Sequence, residues 1–317
     1  MSDQLLHLRL RHLQLVELLA QHGTVGQIAE EMNRTQPALT KMLQELEASL
    51  GTRLFERGRH GAKITPEGAA FARRAAIILN EWRQIPADIE VAKRSGGTVL
   101  RVGSTPLIGM TILPGALSGF RKEYPNVRVT LREASMHELI SALEAGEIDL
   151  IVGRYSGEGE RRHPYGQLVQ ERLYDEHLVA IAGALHPLAQ MRGLSWDYLA
   201  AADWVLPPPE LTTRRLFEME FLRAGKSPPV PVFETTSFAT AISFVARGEV
   251  LGLVPEVAAQ FAAELGLVTK LDCMLDTFSA PVSTLRRASV PESPDMARFC
   301  ASLRVSCQSY ADGIGSE

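Results

Sequence analysis

Between positions 23 and 65 the chain carries two helical patterns separated by a tight break and followed by two short strand-like runs, and no other segment restricts its fold as strongly. Val25, Ile28, Ala29 and Met32 recur at helical spacing, Asn33-Arg34 interrupts them, and Gln36 opens a second pattern with Leu39, Leu43, Leu46 and Leu50 on one face. Two short helices joined this way are the unit that lays its second helix in the major groove of DNA. Thr35 is placed to cap the second helix, and Pro37 suits its first turn, where a missing amide donor costs nothing. Gln36, Thr40, Lys41 and Gln44 fall on the face away from the leucines. Glutamine can bond adenine through two contacts, threonine meets a base edge or a thymine methyl, and lysine serves a phosphate or a guanine. Thr35, Gln36, Pro37, Ala38, Thr40, Lys41 and Gln44 are therefore the expected groove-facing set.

Residues 53–57 and 62–65 read as two short strands around Gly58-Arg59-His60-Gly61, a wing beside that helix. Arg53, Arg57, Arg59 and Lys63 are then expected on phosphates. The competing reading is an ordinary solvated helical hairpin, and the charge distribution weighs against it. Positions 34–63 hold six Lys/Arg against three Asp/Glu in a chain whose net charge is −4. A basic patch on an acidic protein is the electrostatic footprint of nucleic-acid binding. Residues 1–94 hold 13 Lys/Arg and 11 Asp/Glu, which leaves +2 in this part and −6 in the remainder.

At 317 residues and 45% hydrophobic composition the chain can bury more than one core, so two or three domains are expected. Cys273, Cys300 and Cys307 lack disulfide or zinc-ligand spacing and read as buried reduced thiols. No metal and no cofactor is expected. His7, Arg9 and Arg11 interrupt any apolar run near the start, and glycines and prolines break the charge-free stretch 102–120. Neither reads as a secretion signal or a membrane span, so the expected compartment is the cytoplasm, with no membrane partner.

From 66 to about 94 one long helix is expected. Phe71, Ala75, Ile78, Trp82, Ile85 and Ile89 follow steps of 4, 3, 4, 3 and 4, the seam of a two-stranded coiled coil. Pro86 forfeits a helical hydrogen bond and marks a place for a kink. Ser95-Gly96-Gly97-Thr98 is a hinge by composition. Beyond it strands are expected at 99–102, 127–131 and 148–152, with helices at 111–124 and 137–145. The theme restarts with strands at 178–182, 204–206, 230–233 and 251–254 and helices at 212–224 and 238–247. Strands alternating with helices imply two α/β halves with mainly parallel sheets. A strand at 281–285 and a helix at 294–307 remain.

Leu10-Arg11-His12-Leu13-Gln14-Leu15, Thr35-Gln36-Pro37-Ala38-Leu39-Thr40, Leu46-Glu47-Ala48-Ser49-Leu50-Gly51, Leu54-Phe55-Glu56-Arg57 and Thr65-Pro66-Glu67-Gly68 resemble, in order and spacing, the LysR-type transcriptional regulators. Thr35 stands where that family usually has serine, and Lys41-Met42 where arginine or glutamine is frequent. The resemblance implies an α/β protein with an N-terminal winged helix-turn-helix at 1–65, a linker (dimerisation) helix at 66–94 and an effector-binding domain at 95–317. That domain would have two lobes like a periplasmic binding protein, at about 98–167 plus 275–310 and about 168–274, the chain end returning to complete the first. The implied partners are double-stranded promoter DNA, a small effector, a second copy in a homodimer that assembles to a homotetramer, and RNA polymerase.

Ligands in open α/β sheets lie at the carboxyl ends of the strands. Gly103-Ser104-Thr105-Pro106 offers free amides and two hydroxyls there, Glu133-Ala134-Ser135 precedes the next helix, and Thr235-Thr236-Ser237-Phe238 precedes one in the other half. Each hydroxyl alone is equally a helix cap. The resemblance gathers Ser104, Thr105, Ser135, Pro209, Thr212, Thr236, Ser237 and Phe238 around an effector, often a carboxylate. The Leu107-Ile108-Gly109-Met110 and Gly153-Arg154 segments resemble regulators of aromatic-acid and sugar catabolism, which points to an aromatic or sugar-derived carboxylate. The alternatives are an α/β enzyme or a two-lobed binding protein without DNA binding. No G-x-S-x-G elbow, P-loop, dinucleotide fingerprint or HExxH pattern supports an enzyme, and the eight histidines show no ligand spacing.

Overall fold

The computed structural model describes residues 8–22, 25–58, 61–155 and 168–314. Its first unit packs α1 (Leu10–His22), α2 (Val25–Glu31) and α3 (Gln36–Leu50) around Leu15, Val16, Leu19, Ile28, Leu39 and Leu46. Asn33 turns the chain between α2 and α3 with a φ of 49°, a left-handed conformation that asparagine tolerates. The buried face of α3 is Leu39, Met42 and Leu46, whereas Leu43 and Leu50, expected on it, are half-buried. Gly51 ends the helix at a φ of 68°, its amide donating to the carbonyls of Ala48 and Glu47. The wing follows as an antiparallel pair, β1 (Phe55–Gly58) and β2 (Gly61–Ile64), with Phe55 opposite Ile64. It starts two residues later than expected because the amides of Leu54 and Phe55 donate to Glu47 Oε1, at 2.7 and 3.1 Å.

Thr65 joins the wing to α4 (Pro66–Ser95): its Oγ1 donates to the Arg53 carbonyl at 2.8 Å and accepts from the Gly68 amide at 2.9 Å. The 30 residues of α4 run about 45 Å and pass Pro86 without ending. The expected coiled-coil seam divides. Ala75 is buried with Leu13 and Leu79, and Phe71 packs beside them against the head. Ile78, Trp82, Ile85 and Ile89 remain 50, 55, 42 and 47% exposed. Polar side chains tie α4 at both ends of its middle. Arg83 pairs with Glu17 of α1, Asn80 Nδ2 donates to the Ala145 carbonyl at 2.8 Å, and Gln84 Nε2 donates to the Gly146 carbonyl at 2.6 Å.

The body contains two sheets. The first has the order β4-β3-β5-β13-β6, with β3 (Val99–Ser104), β4 (Arg128–Glu133), β5 (Leu150–Arg154), β6 (Leu168–Tyr174) and β13 (Val282–Arg287). The second joins β7 (His177–Gly183), β8 (Trp204–Leu206), β9 (Phe233–Glu234), β10 (Leu251–Pro255), β11 (Val268–Lys270) and β12 (Asp276–Phe278). Both are mixed, not mainly parallel: β3 runs parallel to β4 and β5, but β13 is antiparallel to β5 and β6. Likewise β10 is parallel to β8 and antiparallel to β7. β13 does return to the first sheet. β6, assigned by the expected boundaries to the second lobe, also lies in the first sheet, and β12, assigned to the first lobe, pairs with β7 of the second.

The expected helix at 111–124 is preceded by a separate short one, so that α5 (Pro106–Met110) and α6 (Ile112–Glu123) meet at Thr111. α7 (Met136–Glu144), α9 (Thr212–Arg223) and α10 (Phe238–Val245) form where the apolar spacing placed them, while α8 (Trp196–Ala201) and α11 (Glu256–Glu264) were not expected. The strand expected at 230–233 keeps only Phe233, since Pro228, Pro229 and Pro231 withhold amide donors just before it. The closing helix α12 (Pro294–Ile314) packs on α6, with Phe299 edge-on to Phe120 at 5.3 Å. In the second half Trp204 meets Phe217 at 4.9 Å, and its indole N–H donates to the Leu199 carbonyl at 2.8 Å.

Candidate nucleic-acid interface and effector cleft

On α3 the leucines and Met42 turn inward, which leaves Gln36, Pro37, Ala38, Lys41 and Gln44 exposed and Thr40 half-exposed along one outer face. Thr35 occupies the cap position with extended backbone, but its hydroxyl makes no cap hydrogen bond, contrary to the expected capping role. Lys41 lies 3.8 Å from Glu45, one turn on, an exposed pair that contributes little and leaves the ammonium available. Arg53 is exposed at the wing base, and Lys63 is exposed on β2 opposite Glu56. Arg57 belongs to β1, but its side chain and the whole of Arg59 lie outside the described residues. The outer face of α3 therefore carries amide, hydroxyl and ammonium donors, with two cations beside it.

The second candidate site forms where β3 and β5 end side by side. Ser104 is fully buried, and its Oγ has no hydrogen-bond partner among the described residues. An unsatisfied buried hydroxyl is uncommon enough to mark a place for a ligand or a water. Thr105 begins α5 without a cap bond and packs beside Gly153. Next along β5 is Arg154, which the expected site omitted. It is half-buried, its Nη1 is cut off from solvent without a partner, and its guanidinium carbon stands 5.1 Å from the ring centroid of Phe238 in the other half. Burial holds this guanidinium below its ordinary pKa, opposed by Glu176 and Tyr174. Glu133 Oε1 and Ser104 Oγ both approach Gly109, where a side chain would collide with the carboxylate.

Several of the other expected effector contacts have caps or neighbours of their own. Ser135 forms a capping box: its hydroxyl accepts from the Glu138 amide and donates to the Glu138 carboxylate at 2.7 Å. Ser237 caps α10 by accepting from the Thr240 amide at 3.3 Å, and Thr212 Oγ1 accepts from Arg215 at 3.3 Å. Pro209 and Thr236 are exposed. Ser104, Thr105 and Phe238 are the expected residues that the fold brings near Arg154.

Glu176 sits at the crossing between the sheets, where its carbonyl accepts from the Ser279 amide at 2.8 Å. Its buried carboxylate accepts from Tyr174 Oη at 3.2 Å and faces Arg154, Glu256 and Cys307. Burial pushes it up to about 7, with Arg154 pulling the other way. A carboxyl raised on folding binds its proton more tightly in the native state, so its stabilising contribution is present at low pH and is lost as pH rises to about 7. Unfolding free energy should fall by something on the order of 3 kcal/mol across that window from this group alone. Urea titrations between pH 5 and 8 should show Glu176→Gln flattening this slope; an unchanged slope would place the titration elsewhere.

Among the described residues no group of three His, Cys, Asp or Glu could hold a metal, and no helix is long and apolar enough to cross a membrane. Burial raises the thiols of Cys300 and Cys307 to about 12, which leaves them unreactive.

Comparison with known proteins matches the head and the body to one family. The family described as "Bacterial regulatory helix-turn-helix protein, lysR family" matches residues 10–69, and "LysR substrate binding domain" matches residues 93–308. The chain is 30% identical to the HTH-type transcriptional regulator PcaQ of Agrobacterium fabrum, across 99% of each protein. It is 28% identical to the regulator GalR of Pseudomonas putida, covering 93% of this chain and 73% of that one. Among solved structures, CbnR, a LysR family transcriptional regulator, superimposes with a TM-score of 0.59 at 22% identity, over 95% of this chain and 99% of that one. A full-length OxyR variant from Pseudomonas aeruginosa gives 0.59 at 23% identity, over 95 and 98%. These two likenesses concern the fold. The family matches over head and body, with the likeness to PcaQ along the whole chain, show that this chain belongs to the LysR family of bacterial transcriptional regulators.

Proposed function

We propose that this regulator reads promoter DNA with the outer face of α3 and changes its output when a small carboxylate binds between Ser104, Thr105, Arg154 and Phe238. The observation that carries the anionic assignment is the unpartnered, buried Nη1 of Arg154 beside the strand end that carries the unpartnered hydroxyl of Ser104. A ligand carboxylate supplies the acceptors both groups lack, and charge-assisted bonds of this kind are the strong ones. Glu133, across Gly109 from Ser104, can accept from a ligand hydroxyl, and the Phe238 ring suits an aromatic portion, so a hydroxylated or aromatic acid fits better than a simple one. Gln36, Thr40, Lys41 and Gln44 contact bases, Thr35, Pro37 and Ala38 approach the groove, and Arg53, Arg57, Arg59 and Lys63 contact phosphates. The exposed part of α4 pairs two chains, two such pairs make a tetramer, and the regulator works in the cytoplasm. Ligand-driven closure of the two halves then shifts the spacing of the paired heads, provided the ligand prefers one arrangement.

A thermal-shift series tests the ligand class. Benzoate, 4-hydroxybenzoate and gluconate are compared with benzyl alcohol and glucose, on the wild type and on Arg154→Ala. A fitting acid at a hundredfold excess over its Kd stabilises by about 2.7 kcal/mol, a rise of roughly 5–10 °C for a body of this size. Arg154→Ala should erase the rise. An equal rise with the neutral analogues, or an equal rise in the variant, contradicts the assignment.

A further inference from the structure

We propose that the groove between the last turns of α4 and the corner joining α6 to β4 is a second ligand site, one that takes an amphipathic organic anion. The groove encloses about 500 Å³, within the range of small-molecule pockets. Its floor is apolar, with Val91 from α4, Leu117 from α6 and Val129 from β4, and its rim carries Arg94, Arg121 and Arg128. Among the described residues no acidic side chain lines it.

The arginines make the case for an anion. Elsewhere in the body Arg101 pairs with Asp88, Arg132 with Glu147, Arg214 with Glu218, Arg298 with Asp295 and Arg304 with Glu171. The Arg121 and Arg128 side chains have no hydrogen bond or ion pair with any described residue, and the one such partner of Arg94 among the described residues is Glu90 of its own helix, at 3.5 Å. Two unpaired guanidinium groups converge on an apolar floor in a body whose net charge is negative. Planar guanidinium groups suit carboxylate, sulfonate and phosphate oxygens, while the floor suits an aromatic or alkyl portion.

Position separates this groove from the effector cleft and gives it a consequence. β4 pairs with β3 at Val99 and Leu100 beside the groove, whereas Ser104 lies five residues further along β3, about 17 Å away. The groove also spans the Gly96-Gly97 hinge. Gly97 packs against the Asn126 carbonyl so closely that a Cβ there would stand 2.6 Å from the carbonyl carbon. A ligand touching Val91 and Arg94 on one side and Leu117, Arg121 and Arg128 on the other therefore adds to the ties that Asn80, Gln84 and Asp88 make between linker helix and body.

Fluorescence titration with 1-anilinonaphthalene-8-sulfonate on the full-length protein tests the site. The wild type should bind the probe saturably, and the double variant Arg121→Gln/Arg128→Gln should raise the Kd at least about tenfold. Both side chains are exposed, so the variant should keep the wild-type melting temperature. Arg154→Ala should bind the probe as the wild type does, and the uncharged N-phenyl-1-naphthylamine should bind the wild type more weakly. The proposal is overturned by absent probe binding, by a double variant within about twofold of wild type, by loss of binding in Arg154→Ala, or by equal affinity for the neutral probe.

Discussion

Gly68→Ala should abolish DNA binding while the effector-binding body keeps its own melting transition. Helix propensity alone predicts the opposite sign, because alanine in the first turn of α4 is favoured over glycine by about 1 kcal/mol. Contact geometry overrides it. A Cβ on Gly68 would penetrate the Leu54 carbonyl oxygen and stand 2.8 Å from the carbonyl carbon. Those atoms are backbone, fixed by the Glu47 carboxylate on the Leu54 amide and by the Thr65 amide, which donates to the Leu54 carbonyl at 3.0 Å. Relief requires the wing to move off α4, which also breaks the Thr65 cap on the Gly68 amide. Overpacking at about 1–3 kcal/mol and a lost cap at about 1 kcal/mol together remove much of what a small winged head has to spare. Filter binding with calorimetry of the same sample checks this, and a Gly68→Ala protein that binds DNA like the wild type contradicts it.

That prediction also shows which parts of the molecule were legible in the sequence. The head is built from local contacts, so its motifs carried their meaning within a few dozen residues: Glu47, Gly51 and Thr65 hold identifiable hydrogen bonds, and Gly68 a close approach. The body is built from distant ones. β6 pairs with β13 over a hundred residues later, and nothing in Leu168-Val169-Gln170-Glu171-Arg172 reveals that partner or its direction, so both the mixed sheets and the crossing of β6 were missed. Arg154 was missed for a related reason. It ends an otherwise apolar strand, and only the approach of Phe238 and Glu176 from other elements shows that its guanidinium is enclosed. Conversely Ser135 and Ser237 followed the expected pattern for ligand contacts, yet each caps its own helix. A hydroxyl before a helix does not distinguish the two uses, and the burial that leaves Ser104 without a partner depends on elements distant in the sequence.

Ile78→Glu should dissociate the assembly. Half of this side chain is exposed in the single chain, between the buried Leu79 and the wider stripe of Trp82, Ile85 and Ile89. A glutamate there costs the isolated protomer little, because its carboxylate reaches water. In a paired α4 seam the same carboxylate is cut off without a counter-ion, which costs several kcal/mol and favours deprotonated, separated chains at neutral pH. Sedimentation equilibrium should therefore show the wild-type mass falling by half, to chains still joined by the contact between pairs, with the melting temperature of the body retained. Specific DNA affinity should drop with it, since one head reads only half of a two-fold site. A variant with unchanged mass would move the pairing surface away from this stripe.

The central claim is that the outer face of α3 reads sequence while the wing base anchors to the backbone. It is tested most directly by binding titrations at several salt concentrations, on a duplex selected from a random pool by the wild-type protein. Gln36→Ala should lose about 1–3 kcal/mol on the selected duplex and nothing on a scrambled one, with the salt slope unchanged. Arg53→Ala should weaken both duplexes alike and reduce the slope by about 1. Failure of the wild type to enrich any sequence, or equal losses on both duplexes for Gln36→Ala, would contradict the assignment of α3 as the reading helix.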